Sequence, residues 1–116
     1  MTKKLKEEII SNLDDYINFL NICKLAAEAG QPDWKILAEI SDTRFKIYKM
    51  LERLDVVFDL FRDGKLSKMP IWKVHFKSDF LLIDLRLKNL HETYPLPGYK
   101  DHNIHDKVKH LLISDK

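Results

Sequence analysis

The sequence has little cysteine, glycine or proline, and it has no long apolar run. Its single cysteine, Cys23, excludes an internal disulfide and is typical of a buried thiol in a reducing compartment. Three glycines leave little material for a phosphate-binding loop or a dinucleotide fingerprint. No apolar segment approaches the ~20 residues that a membrane span needs. These absences predict a cytoplasmic protein with no membrane segment and no cofactor, and the lack of common enzyme motifs predicts no catalytic activity.

The few glycines and prolines divide the chain into segments of helical length. Between these breakers, apolar residues recur at steps of three and four, which is the period of an α-helix. The pattern predicts helices near residues 4–29, 33–62, 70–94 and 103–113. We therefore expect one all-α domain over residues 1–116, an antiparallel bundle of three long helices and a short C-terminal helix.

Each predicted helix has an apolar stripe that we expect in the core. The stripe residues are Ile9, Leu13, Tyr16, Leu20, Cys23 and Ala27, then Leu37, Ile40, Ile47, Leu51, Leu54, Phe58 and Phe61, then Trp72, Phe76, Phe80, Ile83, Leu87, Leu90 and Tyr94, and last Ile104, Val108, Leu111 and Leu112. Asp33 is the predicted N-cap of the second helix, and Asp101 or Asn103 that of the fourth.

Other large apolar residues lie off these stripes. They are Phe19, Phe45, Tyr48, Leu60, Leu82 and Leu85. A minimal bundle cannot bury several faces of each helix, and a large uncovered apolar patch is typical of an interaction site. The surplus therefore favours a protein partner or self-association.

Charge is balanced overall, at net +2, but it is uneven along the chain. Residues 44–77 contain nine basic and four acidic residues, a distribution that suits a phosphate backbone or an acidic protein surface. We predict that a partner or a nucleic acid contacts this basic region. The predicted contact residues are Arg44, Lys46, Lys49, Arg53, Arg62, Lys65, Lys68, Trp72 and Lys73.

Residues 37–54 are compatible with a helix-turn-helix motif as well as with one straight helix. In the first interpretation Ser41 or Asp42 caps a recognition helix, and 56–61 pairs with 71–76 as a wing. A single helix accounts for the same apolar residues, and the helical spacing from Trp72 to Tyr94 does not suit a strand. We expect the straight helix and keep the DNA-binding motif as the alternative.

Near the end of the third helix, Arg86 is followed after four residues by His91. This pattern resembles the catalytic signature of the HEPN helical-bundle ribonucleases. The resemblance implies that Arg86 stabilises phosphate charge and that His91 transfers a proton. Five residues apart on a straight helix, however, the two side chains are rotated by about 140° from each other. We therefore expect both to lie on the helix surface without a catalytic role.

Three histidines, His102, His105 and His110, are interleaved with Asp101 and Asp106 near the C-terminus. His102 and His105 are one helical turn apart, and with Asp106 they have the donor types that a divalent transition metal accepts. Terminal histidines on a short polar helix are more often solvated. We predict no metal site.

Taken together, the missing catalytic motifs and the surplus apolar surface favour a non-catalytic regulatory protein that acts through protein–protein interaction, as an adaptor, antitoxin, immunity protein or inhibitor does. Its partner is expected to be another protein or a second copy of the chain, and not a membrane. A nucleic-acid-binding regulator that uses residues 37–54 and the basic region 44–77 is the alternative. A HEPN-like ribonuclease is the second alternative.

Overall fold

The computed structural model describes the backbone of residues 3–62 and 70–114, and their side chains except those of 55, 57–62, 70–77 and 110–114. Four helices follow one another along this part of the chain: α1 (Lys3–Glu28), α2 (Trp34–Arg62), α3 (Pro70–Thr93) and α4 (Ile104–Ser114). The predicted all-α bundle of three long helices and a short C-terminal helix is confirmed, and every helix end lies within one residue of its predicted position. None of the described helices is long and apolar enough to cross a membrane.

The corner between α1 and α2 is made by a glycine and a capping aspartate. Gly30 has a φ of 68°, in the left-handed region that glycine reaches without steric cost and that commonly ends helices. Asp33 Oδ1 then accepts a hydrogen bond of 3.2 Å from the Ile36 amide, which confirms Asp33 as the N-cap of α2. Because the connection is only five residues long, α2 folds back along α1.

The helix directions follow from contacts between side chains. Tyr16 of α1 contacts Asp84, and Phe19, one turn later, contacts His91, so α1 and α3 run in the same direction. Helix α4 runs opposite to α1, because His102, just before α4, lies beside Asp15, and Lys107, further along α4, lies 3.1 Å from the earlier α1 residue Glu8. Adjacent helices are thus antiparallel, as expected.

The core consists largely of the predicted stripe residues. Among the described side chains it contains Ile9, Leu13, Tyr16, Leu20, Cys23, Ile40, Ile47, Leu54, Phe80, Ile83, Leu87, Leu90, Ile104 and Val108. Leu37, Leu51 and Tyr94 are only half-buried, and Phe58, Phe61, Trp72, Phe76, Leu111 and Leu112 lie outside the described side chains. Thr43 and Met50 are buried as well, which places two further α2 residues in the core.

Phe19 is fully buried, so its expected place on an uncovered face is wrong. The loop between α3 and α4 folds back over α1 and covers it, with the Tyr99 ring 5.4 Å from the Phe19 ring. Gly98 has a φ of 104°, and a Cβ atom there would lie 3.2 Å from Ile22 Cδ1. The close approach of this loop to α1 thus depends on a glycine.

Helix α2 is continuous through residues 41–43, so the helix-turn-helix interpretation of 37–54 is wrong. Thr43 Oγ1 donates a 2.8 Å hydrogen bond to the Glu39 carbonyl one turn earlier, which lets a polar side chain lie in the core without an unpaired donor. The proposed wing is also wrong, because residues 56–61 continue α2 and residues 71–76 belong to α3.

Candidate binding surface

An apolar ridge runs along the outer side of α2. Trp34, Phe45 and Val56 follow one another at intervals of eleven residues, or three helical turns, so they form a nearly straight line about 33 Å long. Tyr48 lies beside Phe45, one turn further along the helix. The exposed fractions are 75% for Trp34, 58% for Phe45, 48% for Tyr48 and 45% for Val56. We call these four residues the α2 ridge.

The ridge points outward because the opposite side of α2 is the core side. Ile40, Ile47, Met50 and Leu54 are each at most 1% exposed, and they lie about 160 to 240° around the helix from Trp34. One rigid helix cannot turn both sides inward. Covering the ridge would therefore need a partner or another part of the chain.

Four basic residues lie together on one side of the ridge. Lys35, Lys46, Lys49 and Arg53 lie about 60 to 120° around the helix from Trp34, and we call them the basic flank. Lys49 remains close to the ridge, with its Nζ 4.8 Å from the centre of the Phe45 ring. This contact places a cation directly beside an exposed aromatic side chain.

Of the acidic residues near the flank, Asp42 lies within it and is paired, Glu39 lies just beyond Lys46, and the exposed Glu52 lies on the line of the ridge between Phe45 and Val56. The Asp42 carboxylate accepts a hydrogen bond from Arg86 of α3, and Lys46 Nζ lies 4.0 Å away. The hydrogen bond from Arg86 is the main reason why the pKa of Asp42 lies below its usual range. With Asp42 neutralised from α3, the flank presents a net positive charge beside the ridge.

The predicted contact residues separate into three groups. Lys46, Lys49 and Arg53 lie together on the basic flank. Arg44 lies about 160° around the helix from Lys46, is half-buried, and its Nε is buried with no hydrogen-bond acceptor among the described residues. The remaining predicted residues fall where the structure describes no side chain: Arg62, Trp72 and Lys73 within helices, and Lys65 and Lys68 outside the described backbone.

Arg86 and His91 contact different parts of the bundle. Arg86 binds Asp42 and approaches Thr43 Oγ1 at 3.4 Å, both on α2. The His91 ring stacks on Tyr99 with the ring centres 4.6 Å apart, on the side of α1. The two side chains therefore do not converge on one ligand position within this chain.

A buried polar cluster lies where α4 begins. Asp84 of α3 accepts hydrogen bonds from the Tyr16 hydroxyl at 2.8 Å, from the Ile104 amide at 3.1 Å and from the His105 amide at 2.8 Å. The Tyr16 oxygen in turn accepts from the His102 amide at 3.3 Å. Burial, followed by the charge of Asp84, raises the pKa of Tyr16 and keeps its hydroxyl protonated.

Asp84 therefore caps α4, in place of the predicted Asp101 or Asn103. The Asn103 side chain instead donates to Asp106 within the same turn, from a backbone with a φ of 47°. A carboxylate at a helix N-terminus satisfies free amides and interacts favourably with the helix dipole. The sequence feature that could have indicated this cap is the position of Asp84, a carboxylate next to the core residue Ile83 of α3.

His102 is held by α1. Its Nε2 lies 2.8 Å from Asp15 Oδ2, and Asn12, with its amide nitrogen toward the ring, donates to Nδ1 at 3.1 Å. His105 Nδ1 lies 3.8 Å from the neighbouring Asp106. Among the described residues, no group of three or more His, Cys, Asp or Glu side chains is arranged to hold a metal ion. The contacts of His102 tie the start of α4 to α1.

Within the described residues, the fold and surface define a small helical bundle with an exposed apolar ridge on α2 beside a basic flank. No protein-family model matches the sequence, and comparison with curated proteins and with solved structures gave no match.

Proposed function

We propose that this chain is a non-catalytic cytoplasmic binding protein that docks on a protein partner through the α2 ridge. The observation that carries the proposal is the line of four large apolar side chains, each between 45% and 75% exposed, on one side of one helix. Several large exposed apolar side chains on one side of a helix are typical of interaction sites in small proteins. An adaptor, antitoxin, immunity protein or inhibitor acts in this way.

The composition of the ridge supports the proposal. Tryptophan and tyrosine are enriched among the residues that contribute most to binding energy at protein interfaces, and Trp34, Phe45 and Tyr48 supply three rigid aromatic anchors. The helix that carries them is fixed to the core by its opposite side, so little backbone entropy is lost on binding.

The experiment compares two pairs of exposed apolar residues. Phe45→Asp/Tyr48→Asp changes the α2 ridge, and Leu81→Asp/Leu85→Asp changes a pair of α3 residues exposed by 43% and 49%. Wild type and both variants are used to capture proteins from the native lysate, and their oligomeric states are measured by light scattering. We expect the α2 pair alone to lose the captured partner or the self-association. A monomeric wild type that captures no protein above background would refute the proposal.

The basic flank favours a nucleic-acid-binding regulator as a second candidate. Four basic residues on one side of a helix are suited to a phosphate backbone, and such binding weakens steeply with salt. Anisotropy titrations with duplex and single-stranded oligonucleotides at low salt test it. Loss of binding in Lys46→Glu/Lys49→Glu but not in Lys88→Glu would support this candidate, and no binding at any ionic strength would exclude it.

A further inference from the structure

We propose that the occupant of the α2 ridge is an amphipathic helix of about 20 residues with acidic side chains along one edge. This inference rests on the proposed function and specifies its partner. It combines the shape of the ridge with the one-sided charge beside it.

The shape of the ridge selects a helix. The line from Trp34 to Val56 is straight and about 33 Å long, which is the length of a helix of about 22 residues. An extended peptide would gain its affinity from backbone hydrogen bonds to an open strand edge. The backbone of α2 between these residues is hydrogen-bonded within the helix and offers no such edge. Side-chain packing of a second helix along α2 matches the length and straightness of the ridge.

The charge selects acidic residues on one edge of that helix. Lys35, Lys46, Lys49 and Arg53 lie on one side of the ridge, and Asp42 there is neutralised by Arg86 and Lys46. On the other side, between Trp34 and Val56, the one basic residue is Arg44, which is half-buried. Carboxylates along a single edge of the partner would thus fix its direction and register on α2.

A second copy of the chain packed antiparallel on the ridge fits this charge pattern poorly. When two identical helices pack antiparallel about a two-fold axis through Phe45, each flank faces the same flank of the other copy. Lys35 would then lie near Arg53 of the second copy, twice in the dimer. Like charges in that position oppose the pairing.

Single-stranded nucleic acid fits the ridge poorly as well. Binding without sequence preference relies on successive bases that stack on aromatic faces. The Phe45 ring is covered on one face by Lys49, Val56 has no aromatic face, and Trp34 lies about 16 Å along the helix from Phe45. The ridge therefore suits aliphatic side chains better than bases.

The test uses two synthetic helical peptides of 22 residues that share a leucine stripe at steps of three and four. One carries glutamates along one edge of the stripe, and the other carries lysines at the same positions. Both are labelled with fluorescein and titrated with the full chain. We expect the acidic peptide to bind at least about tenfold more tightly than the basic one, with the difference shrinking as salt rises.

Two charge variants locate the effect. Lys35→Glu/Lys49→Glu changes the basic flank, whereas Lys4→Glu/Lys88→Glu makes the same change in net charge at exposed lysines elsewhere. Lys35→Glu/Lys49→Glu should remove or reverse the preference for the acidic peptide, and Lys4→Glu/Lys88→Glu should preserve it. Circular dichroism of both variants verifies that each is folded.

The outcomes separate this inference from the function on which it rests. Equal binding of both peptides, or no binding of either, overturns the acidic helix, while capture of a partner that depends on Phe45 and Tyr48 would still support docking by the ridge. The third outcome uses a single-stranded oligothymidine of 22 nucleotides. If it displaces the acidic peptide and its binding needs Lys35 and Lys49, both the acidic helix and the protein-docking function are overturned in favour of nucleic-acid binding.

Discussion

At the scale of single residues, Asp84 joins three parts of the bundle. Its carboxylate binds the Tyr16 hydroxyl of α1 and the first amides of α4 while it is itself only 9% exposed. A buried carboxylate is costly unless its oxygens are fully used, and here three donors use them. Asp84 is therefore a structural residue that determines where α4 docks.

We predict that Asp84→Ala destabilises the protein by about 2 to 4 kcal/mol. The variant loses the cap of α4, worth about 1 kcal/mol, and leaves the buried Tyr16 hydroxyl and two amides without their acceptor, at about 1 to 3 kcal/mol. Urea denaturation followed by circular dichroism measures the change. Asp101→Ala, at an exposed position, is the control and should stay within about 0.5 kcal/mol of wild type. Equal stability of the two variants would show that Asp84 does not cap α4.

Cys23 provides a second prediction at this scale. Burial raises the pKa of its thiol to about 11, so at pH 8 only about one thiol in a thousand is ionised. We expect native Cys23 to react with a maleimide far more slowly than the unfolded chain does, as followed by mass spectrometry. Ser11→Cys/Cys23→Ala moves the thiol to an exposed position of α1 and should be labelled rapidly in the native state. Rapid labelling of native wild type would contradict the buried position.

At the scale of the helices, the continuity of α2 can be tested with proline. Ser41 lies on the exposed side of α2, where proline removes a helical hydrogen bond and clashes with the preceding turn. We expect Ser41→Pro to cost about 3 kcal/mol or more, measured by thermal and urea unfolding. Ser41→Ala should be neutral or slightly stabilising, because alanine has the higher helix propensity. Tolerance of proline would indicate a turn at this position.

The ion pair between α2 and α3 predicts a dependence on pH. Arg86 lowers the pKa of Asp42 in the folded state, whereas the pKa of an aspartate in the unfolded chain is near 4. The ion pair therefore stabilises the fold fully above pH 4, and this stabilisation is lost as the pH falls through the lower pKa of the folded state. Asp42→Asn should be less stable than wild type at pH 7 by no more than about 1 kcal/mol, because the pair is exposed. The difference should shrink as the pH falls below about 4.

Urea denaturation from pH 7 to pH 2 measures this difference. Arg86→Gln provides the matched background, in which Asp42→Asn should have little effect on stability at any pH. A loss of stability from Asp42→Asn that persists in that background would assign the effect to another partner of Asp42.

The extent to which sequence predicts this structure differs between elements. Helix ends follow from local features, such as Gly30 and the capping Asp33, and so they could be placed correctly. The cap of α4 could not, because Asp84 lies 20 residues before Ile104 and reaches it only after α3 and α4 have packed. Phe19 was misplaced for a similar reason, since a loop 80 residues later covers it.

The candidate surface was predictable in part. Phe45 and Tyr48 lie off the core stripe in the sequence pattern, and both are exposed on α2. Trp34 and Val56 were missed, although their spacing of eleven residues from Phe45 places them on the same line. Arg44 was grouped with Lys46 by proximity in sequence, whereas the helical rotation separates the two by about 160°.

At the scale of the whole molecule, the arrangement of the bundle decides whether the resemblance to ribonucleases has chemical meaning. Proton transfer to or from a phosphodiester needs an acid or base within hydrogen-bond reach of the same group that a cation stabilises. Packing of α3 against both α1 and α2 directs Arg86 toward Asp42 and His91 toward Tyr99. A single chain therefore does not bring the two groups together.

We accordingly predict that the purified protein does not cleave RNA. We also expect His91→Ala to leave its partner binding unchanged, because the His91 ring packs against Tyr99 on the opposite side of α3 from the Arg86 contact with α2. Incubation with total cellular RNA, followed by gel electrophoresis, is the measurement, with His91→Ala and Arg86→Ala purified in the same way as controls for contaminating nucleases. Cleavage by all three would be contamination. Cleavage by wild type alone would require a site completed by a second subunit and would contradict the non-catalytic function.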